Sequence, residues 1–162
     1  MNETDFSADE KKIRQAAMNM LARREYSRRE LEDKLSQKFA NSFAVTSVVN
    51  RLCTESLQSD SRYTEAFVRN KIARGQGLLK IQAELLHSGI DEELFKNICL
   101  EMKIDWNTLA KRVASRKIFH RKPSNYKERS KIIRFLQYRG FSLAEATKAM
   151  DEFCESNEQV PM

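Results

Sequence analysis

The side chains able to do covalent or acid–base chemistry are few. Cys53, Cys99 and Cys154 stand 46 and 55 residues apart. That fits neither a zinc site nor a small disulfide scaffold. Each lies in a helical apolar pattern, so they read as buried free thiols. His87 and His120 are the two histidines, and no carboxylate or cysteine cluster surrounds either in the sequence. Neither therefore reads as a catalytic group. A Walker loop, a G-x-S-x-G elbow and an H-E-x-x-H pair are all missing. Gly75 and Gly77 make a bare G-x-G, read as a turn between helices rather than an anion cradle. The pattern is that of a non-enzyme with no cofactor and no metal.

The abundant chemistry is cationic. Lys and Arg number 29 against 23 Asp and Glu, for a net charge of +6. Residues 106–140 alone hold eleven Lys/Arg and one acid, whereas 1–10, 91–105 and 141–162 are acidic. A segment so basic repels itself unless a polyanion lies nearby. Lys127, Lys131, Arg134 and Tyr138 fall on one helical stripe, with Ile132, Phe135, Leu136 and Arg139 on the other side. Arg112 and Arg116 lie outside a core stripe of Trp106, Leu109, Ala110 and Val113, and Lys117, Arg121 and Lys122 follow. Lys71, Arg74 and Lys80 flank the two glycines. Cations in such rows suit phosphates, and an exposed tyrosine suits stacking on a base or sugar. The candidate DNA contacts are Lys71, Arg74, Arg112, Arg116, Lys117, Arg121, Lys122, Lys127, Lys131, Arg134 and Tyr138. Arg23, Arg24, Arg28 and Arg29 are offset by Glu25, Glu30, Glu32 and Asp33, so that helix reads as solvated or protein-facing.

The elements that must hold these residues are helices. Gly and Pro together make 6 of 162 residues, about a third of the usual share of roughly 12%. That excludes turn-rich β folds. No apolar run approaches the ~18 residues of a membrane span, and the acidic start lacks the features of a signal peptide. A cytoplasmic protein is expected.

The pairs Leu31/Leu35, Ile81/Leu85 and Ile132/Leu136 recur 50 and then 51 residues apart, each spaced i, i+4. Apolar helical patterns precede and follow each pair. The chain therefore reads as all-α, three tandem three-helix repeats, at 1–58, 59–103 and 104–162, the last with an acidic tail. Such units are marginal alone and should stack into an elongated, curved array. The expected spans are 7–24, 27–38, 44–55, 60–74, 78–88, 91–102, 105–120, 125–139 and 142–155. Ser7/Glu10, Ser27/Glu30 and Ser142/Glu145 read as capping boxes, with Asn125, Asp60, Asp91 and Asp105 as further caps.

These motifs resemble the RecX regulatory family. The first is Leu21 to Leu35, centred on Ser27-Arg28-Arg29-Glu30. The second is Asp60-Ser61-Arg62-Tyr63 with Phe67-Val68, Lys71, Arg74, Gly77, Ile81 and Glu84-Leu85. The third is Lys131 to Phe141, with Ile104-Asp105-Trp106 upstream. One departure is Ser56 to Asp60, where many members carry a glycine. Losing a left-handed glycine there costs about 1 kcal/mol. The resemblance implies a monomeric negative modulator of RecA. It would bind the RecA filament on single-stranded DNA, and duplex DNA more weakly. It would inhibit ATPase, strand exchange and coprotease activity by bridging protomers, with no membrane role. The competing reading is a helix-turn-helix-like DNA-binding regulator. The basic stripe is poor in amide side chains, which favours backbone contact over base readout.

Overall fold

The computed structural model describes residues 7–118 and 121–156. His120 and the outer ends of the two acidic termini lie outside the described residues. Nine helices and no strand are found among the described residues. The first repeat is α1 (Ala8–Leu21), α2 (Arg28–Lys38) and α3 (Ser42–Thr54). The second is α4 (Asp60–Ala73), α5 (Leu78–His87) and α6 (Glu92–Glu101). The third is α7 (Trp106–Ile118), α8 (Tyr126–Tyr138) and α9 (Leu143–Ser156). The protein is thus all-α, with three three-helix repeats. No described helix is long and apolar enough to cross a membrane.

Side chains set most helix starts. Ser7 accepts from the Glu10 amide while Glu10 accepts from the Ser7 amide, a complete capping box. Ser142 and Glu145 repeat it. The Ser27 box is one-sided: its Oγ accepts from the Glu30 amide, but the Glu30 carboxylate turns to Arg24 and Tyr63. Asn125, Asp91 and Asp105 accept from Glu128, Leu94 and Thr108 amides. Asp60 does not cap its own helix. Ser59 does, accepting from the Arg62 amide. Asp60 lies one residue inside, where its carboxylate reaches the Arg28 amide at 2.8 Å. The three cysteines are free and half-buried rather than buried. Burial pushes the Cys99 thiol up to about 11.

The chain forms two compact units. Unit 1 is residues 1–67 with 85–98, and unit 2 is 68–84 with 99–162. The middle repeat has no compact unit of its own: α4, α5 and α6 are each divided between the two. In unit 1, α1 and α2 pack on α3 around Ile13, Ala17, Leu31, Leu35, Val45, Val48, Val49 and Leu52. In unit 2, α7 and α8 pack on α9 around Leu109, Ala110, Val113, Leu136, Phe141, Ala146 and Met150. Trp106 packs partly buried against this core.

One type of joint occurs in each unit. In unit 1 the Ser27 hydroxyl, at the start of α2, donates to the Ser88 carbonyl in the turn after α5 (2.8 Å). In unit 2 the Gly77 amide, at the start of α5, donates to Arg139 O in the turn after α8 (2.8 Å), and the Leu79 amide to Gly140 O (3.0 Å). Backbone meets backbone here. A Cβ on Gly77 would lie 2.5 Å from the Gly140 carbonyl carbon. Gly140 itself has φ +100°, a conformation that suits glycine.

Candidate nucleic-acid interface

All eleven candidate contacts fall in unit 2. Their placement follows from the phase of α7 and α8. Leu109, Ala110, Val113 and Ala114 turn α7 inward, which leaves Arg112 and Arg116 exposed one turn apart. On α8, Leu136 is buried with Ile132, Ile133 and Phe135 beside it, so Lys127, Lys131, Arg134 and Tyr138 face water. Tyr138 is 77% exposed, and the Lys80 ammonium sits 4.9 Å from its ring centroid.

The structure gathers these residues unequally. A groove runs along the outer side of α7. Its first section, about 560 Å³, lies among Arg69, Ile72 and Ala73 of α4, Met102, Ile104 and Asp105 of the loop, and Thr108, Leu109 and Arg112 of α7. Thr108 and Arg112 also border the next section, with Lys111, Ser115 and Arg116. Arg116 continues into a third with Arg74, Gly75, Lys117, Phe135 and Arg139. A separate notch of about 290 Å³ at the α7–α8 connection holds Lys117, Arg121, Lys122 and Lys131 around Ile118 and Ile132. Glu128 is the acid of that notch. It accepts from the Ser124 amide and hydroxyl, and those bonds, with Arg121 and Lys131 nearby, hold its carboxyl below the usual carboxylate range. Lys127 and Arg134 line neither concavity.

Pairing separates the cations further. Lys71 is mostly covered and its ammonium bonds the Glu84 carboxylate. Lys111 and Arg129 pair with Glu152 and Asp151 of α9. Among the described residues, Arg74, Arg112, Arg116, Lys117, Arg121, Lys127, Lys131 and Arg134 make no ion pair. An anion cradle at Gly75–Gly77 is ruled out for the amides that would build it, since Gly77 and Leu79 already donate to the α8–α9 turn.

The sequence reading missed Arg69 and Arg139. The sequence pattern places Arg139 with the apolar side of α8. Its long side chain reaches out to donate to Arg74 O at 2.9 Å, with its guanidinium 5.2 Å from the Phe135 ring centroid. The i, i+4 spacing of Phe135 and Arg139 was the available signal.

Unit 1 presents the opposite surface. Arg14 pairs with Glu55, Arg24 with Glu30, Arg28 with Glu32 and Arg62 with Glu25.

Comparison with known proteins agrees in order and register. Family models for the first, second and third RecX three-helix domains match residues 14–52, 59–96 and 105–150. The regulatory protein RecX of Halorhodospira halophila is 32% identical over 158 residues, covering 98% of each chain. That of Chromohalobacter salexigens is 37% identical over 145 residues, 90% of this chain and 95% of its own. The crystal structure of RecX from Lactobacillus salivarius is similar in fold, with a TM-score of 0.80 at 23% identity, over 93% of this chain and 99% of that one.

Proposed function

The chain belongs to the RecX family of regulatory proteins, and on that premise we infer that it is a negative modulator of the RecA recombinase. It acts in the cytoplasm as a monomer on the RecA filament formed on single-stranded DNA. There it inhibits ATPase, strand exchange and coprotease activity without catalysis of its own. It works by position: bridging protomers, it favours one filament state through differential affinity. The observation that carries the DNA side of this reading is the α7 groove, where Arg74, Arg112, Arg116 and Lys117 converge without carboxylate partners. Those cations would bind single-stranded DNA, and duplex more weakly. Between Tyr126 and Tyr138, Gln137 is the single amide side chain on α8, which favours phosphate contact over base-edge recognition. The protein side of the reading is supported by the charge-balanced surface of unit 1.

The test is RecA's DNA-dependent ATPase with increasing amounts of the protein. Inhibition at substoichiometric or equimolar protein is expected. Unchanged turnover at every ratio rejects the proposal.

A further inference from the structure

The seam between successive repeats occurs in each unit, and the two seams are filled differently. A shift of 46 residues lays the buried Tyr63, Thr64 and Val68 of α4 on the buried Leu109, Ala110 and Ala114 of α7. The register breaks in the loop before each helix. Residues 55–59 separate α3 from α4, whereas 102–105, one residue fewer, separate α6 from α7. The left-handed residues of these loops, Ser56 and Lys103, correspond. Leu57 and Ile104 correspond too, each donating its amide to the carbonyl five residues back. Ser59 and Asp105 match as caps. The additional residue is therefore Gln58.

Gln58 is 4% exposed and plugs the seam of unit 1. Its amide donates to Tyr26 O at 3.1 Å and to Asp60 at 2.9 Å, and Arg62 closes over it onto Glu25. Unit 2 has no counterpart of Gln58, and Thr108 stands in the place of Arg62. There the 560 Å³ section of the groove opens, floored by Ile72, Ile104 and Leu109. Its rim carries an arginine, unpaired among the described residues, where the closed seam has an alanine: Arg112 occupies the position of Ala66. Arg116 follows one turn on.

We propose that this open seam takes one unstacked base of a single strand, with the neighbouring phosphates on Arg112 and Arg116. This rests on the DNA-binding reading above and deepens it. An apolar floor beside arginines matches a flat base joined to a phosphate backbone. The Asp105 carboxylate, held by the Thr108 amide and hydroxyl, keeps lone pairs for a base N–H such as thymine N3–H. A duplex keeps its bases stacked and has nothing to insert. The seam thereby makes the groove prefer single strands.

The experiment compares binding, at one fixed salt concentration, to an oligothymidine, to an abasic strand of equal length and charge, and to a duplex. The wild-type chain should bind the abasic strand about tenfold more weakly than the oligothymidine. Ala73→Trp fills the seam from the exposed wall of α4. It should bring the oligothymidine down to the abasic level and lower duplex binding by much less. Equal binding of oligothymidine and abasic strand by the wild type overturns the proposal without need of any variant. So does an Ala73→Trp chain that keeps strand preference but no longer inhibits RecA, which would give the seam to a protein side chain. Failure of the underlying reading looks different: no strand is bound at all and RecA turnover is untouched.

Discussion

Gly77→Ala should loosen unit 2, because the methyl it adds meets the backbone of the α8–α9 turn. The added Cβ would stand 2.5 and 2.6 Å from the carbonyl carbon and oxygen of Gly140, and 2.6 Å from the Phe141 nitrogen. All three are backbone atoms, so no side chain can swing aside. Carbon contacts settle at about 3.5 Å or more, so the α8–α9 turn must retreat by about 1 Å. That distance breaks the Gly77-to-Arg139 and Leu79-to-Gly140 bonds. Each is worth about 1 kcal/mol net, and a buried amide left unsatisfied adds about 1–3 kcal/mol. Gly77 is buried and Leu79 is not, so the added penalty falls on Gly77. The expected loss is about 3–5 kcal/mol. Trp106 is the sole tryptophan and packs in unit 2, so its fluorescence reports that unit. With an m-value of about 1–2 kcal/mol/M in urea, the fluorescence midpoint should fall by about 1.5–5 M. A midpoint within about 0.3 M of the wild type would refute the close approach of the two turns.

Three further outcomes are expected. Ser56 and Lys103 hold φ values of 58° and 51°, so Ser56→Gly and Lys103→Gly should each stabilise by about 1 kcal/mol, read as a higher urea midpoint; no gain in either means the loops carry no strain. Arg116→Ala and Lys131→Ala should each flatten the salt dependence of single-strand binding by about 0.7 units, while Lys71→Ala, already engaged by Glu84, and Arg134→Ala, outside both concavities, should not; the reverse ranking would move the interface to α4 or to the outer face of α8. Hydrogen bonds at helix starts hold Glu10, Asp105 and Glu128 below the usual carboxylate range. A depressed folded pKa means stability that is present above the unfolded value and lost as pH falls through it, so the urea midpoint should drop between about pH 5 and pH 3 and stay level above. A midpoint that does not change over that interval would mean these caps add nothing.

Helix positions were legible because they depend on local periodicity and capping. Apolar residues at 3.6-residue spacing, with a Ser, Asn or Asp at seven of the nine starts, placed all nine spans within three residues of the observed ends. The corrections came where a residue's partner lies far along the chain. Asp60 looks like a cap, yet it serves the Arg28 amide 32 residues away. Lys71 looks like a free cation, yet Glu84 is its neighbour across two helices. The seam was illegible for the same reason. Nothing local marks Gln58 as an insertion until the left-handed residues of two loops are matched. In the linker without a glycine, Ser56 adopts the left-handed conformation itself.

Net charge overstates what unit 2 offers a polyanion, and the difference is measurable. Residues 106–140 hold eleven cations, but α9 folds back with acids that take Lys111 and Arg129. Lys127 and Arg134 line neither concavity. Besides Arg139, whose guanidinium donates to Arg74 O, six cations that line the groove or the notch make no ion pair among the described residues: Arg74, Arg112, Arg116, Lys117, Arg121 and Lys131. If each neutralises one phosphate of a single strand, log K should fall against log salt with a slope of about −4, at roughly 0.7 per contact. Counting every cation of the segment would give a slope of about −8. A measured slope near the steeper value would mean that the α9 ion pairs open on binding, and that the groove is not the whole interface. A slope near −1 would mean that the groove is occupied by something other than a phosphate backbone.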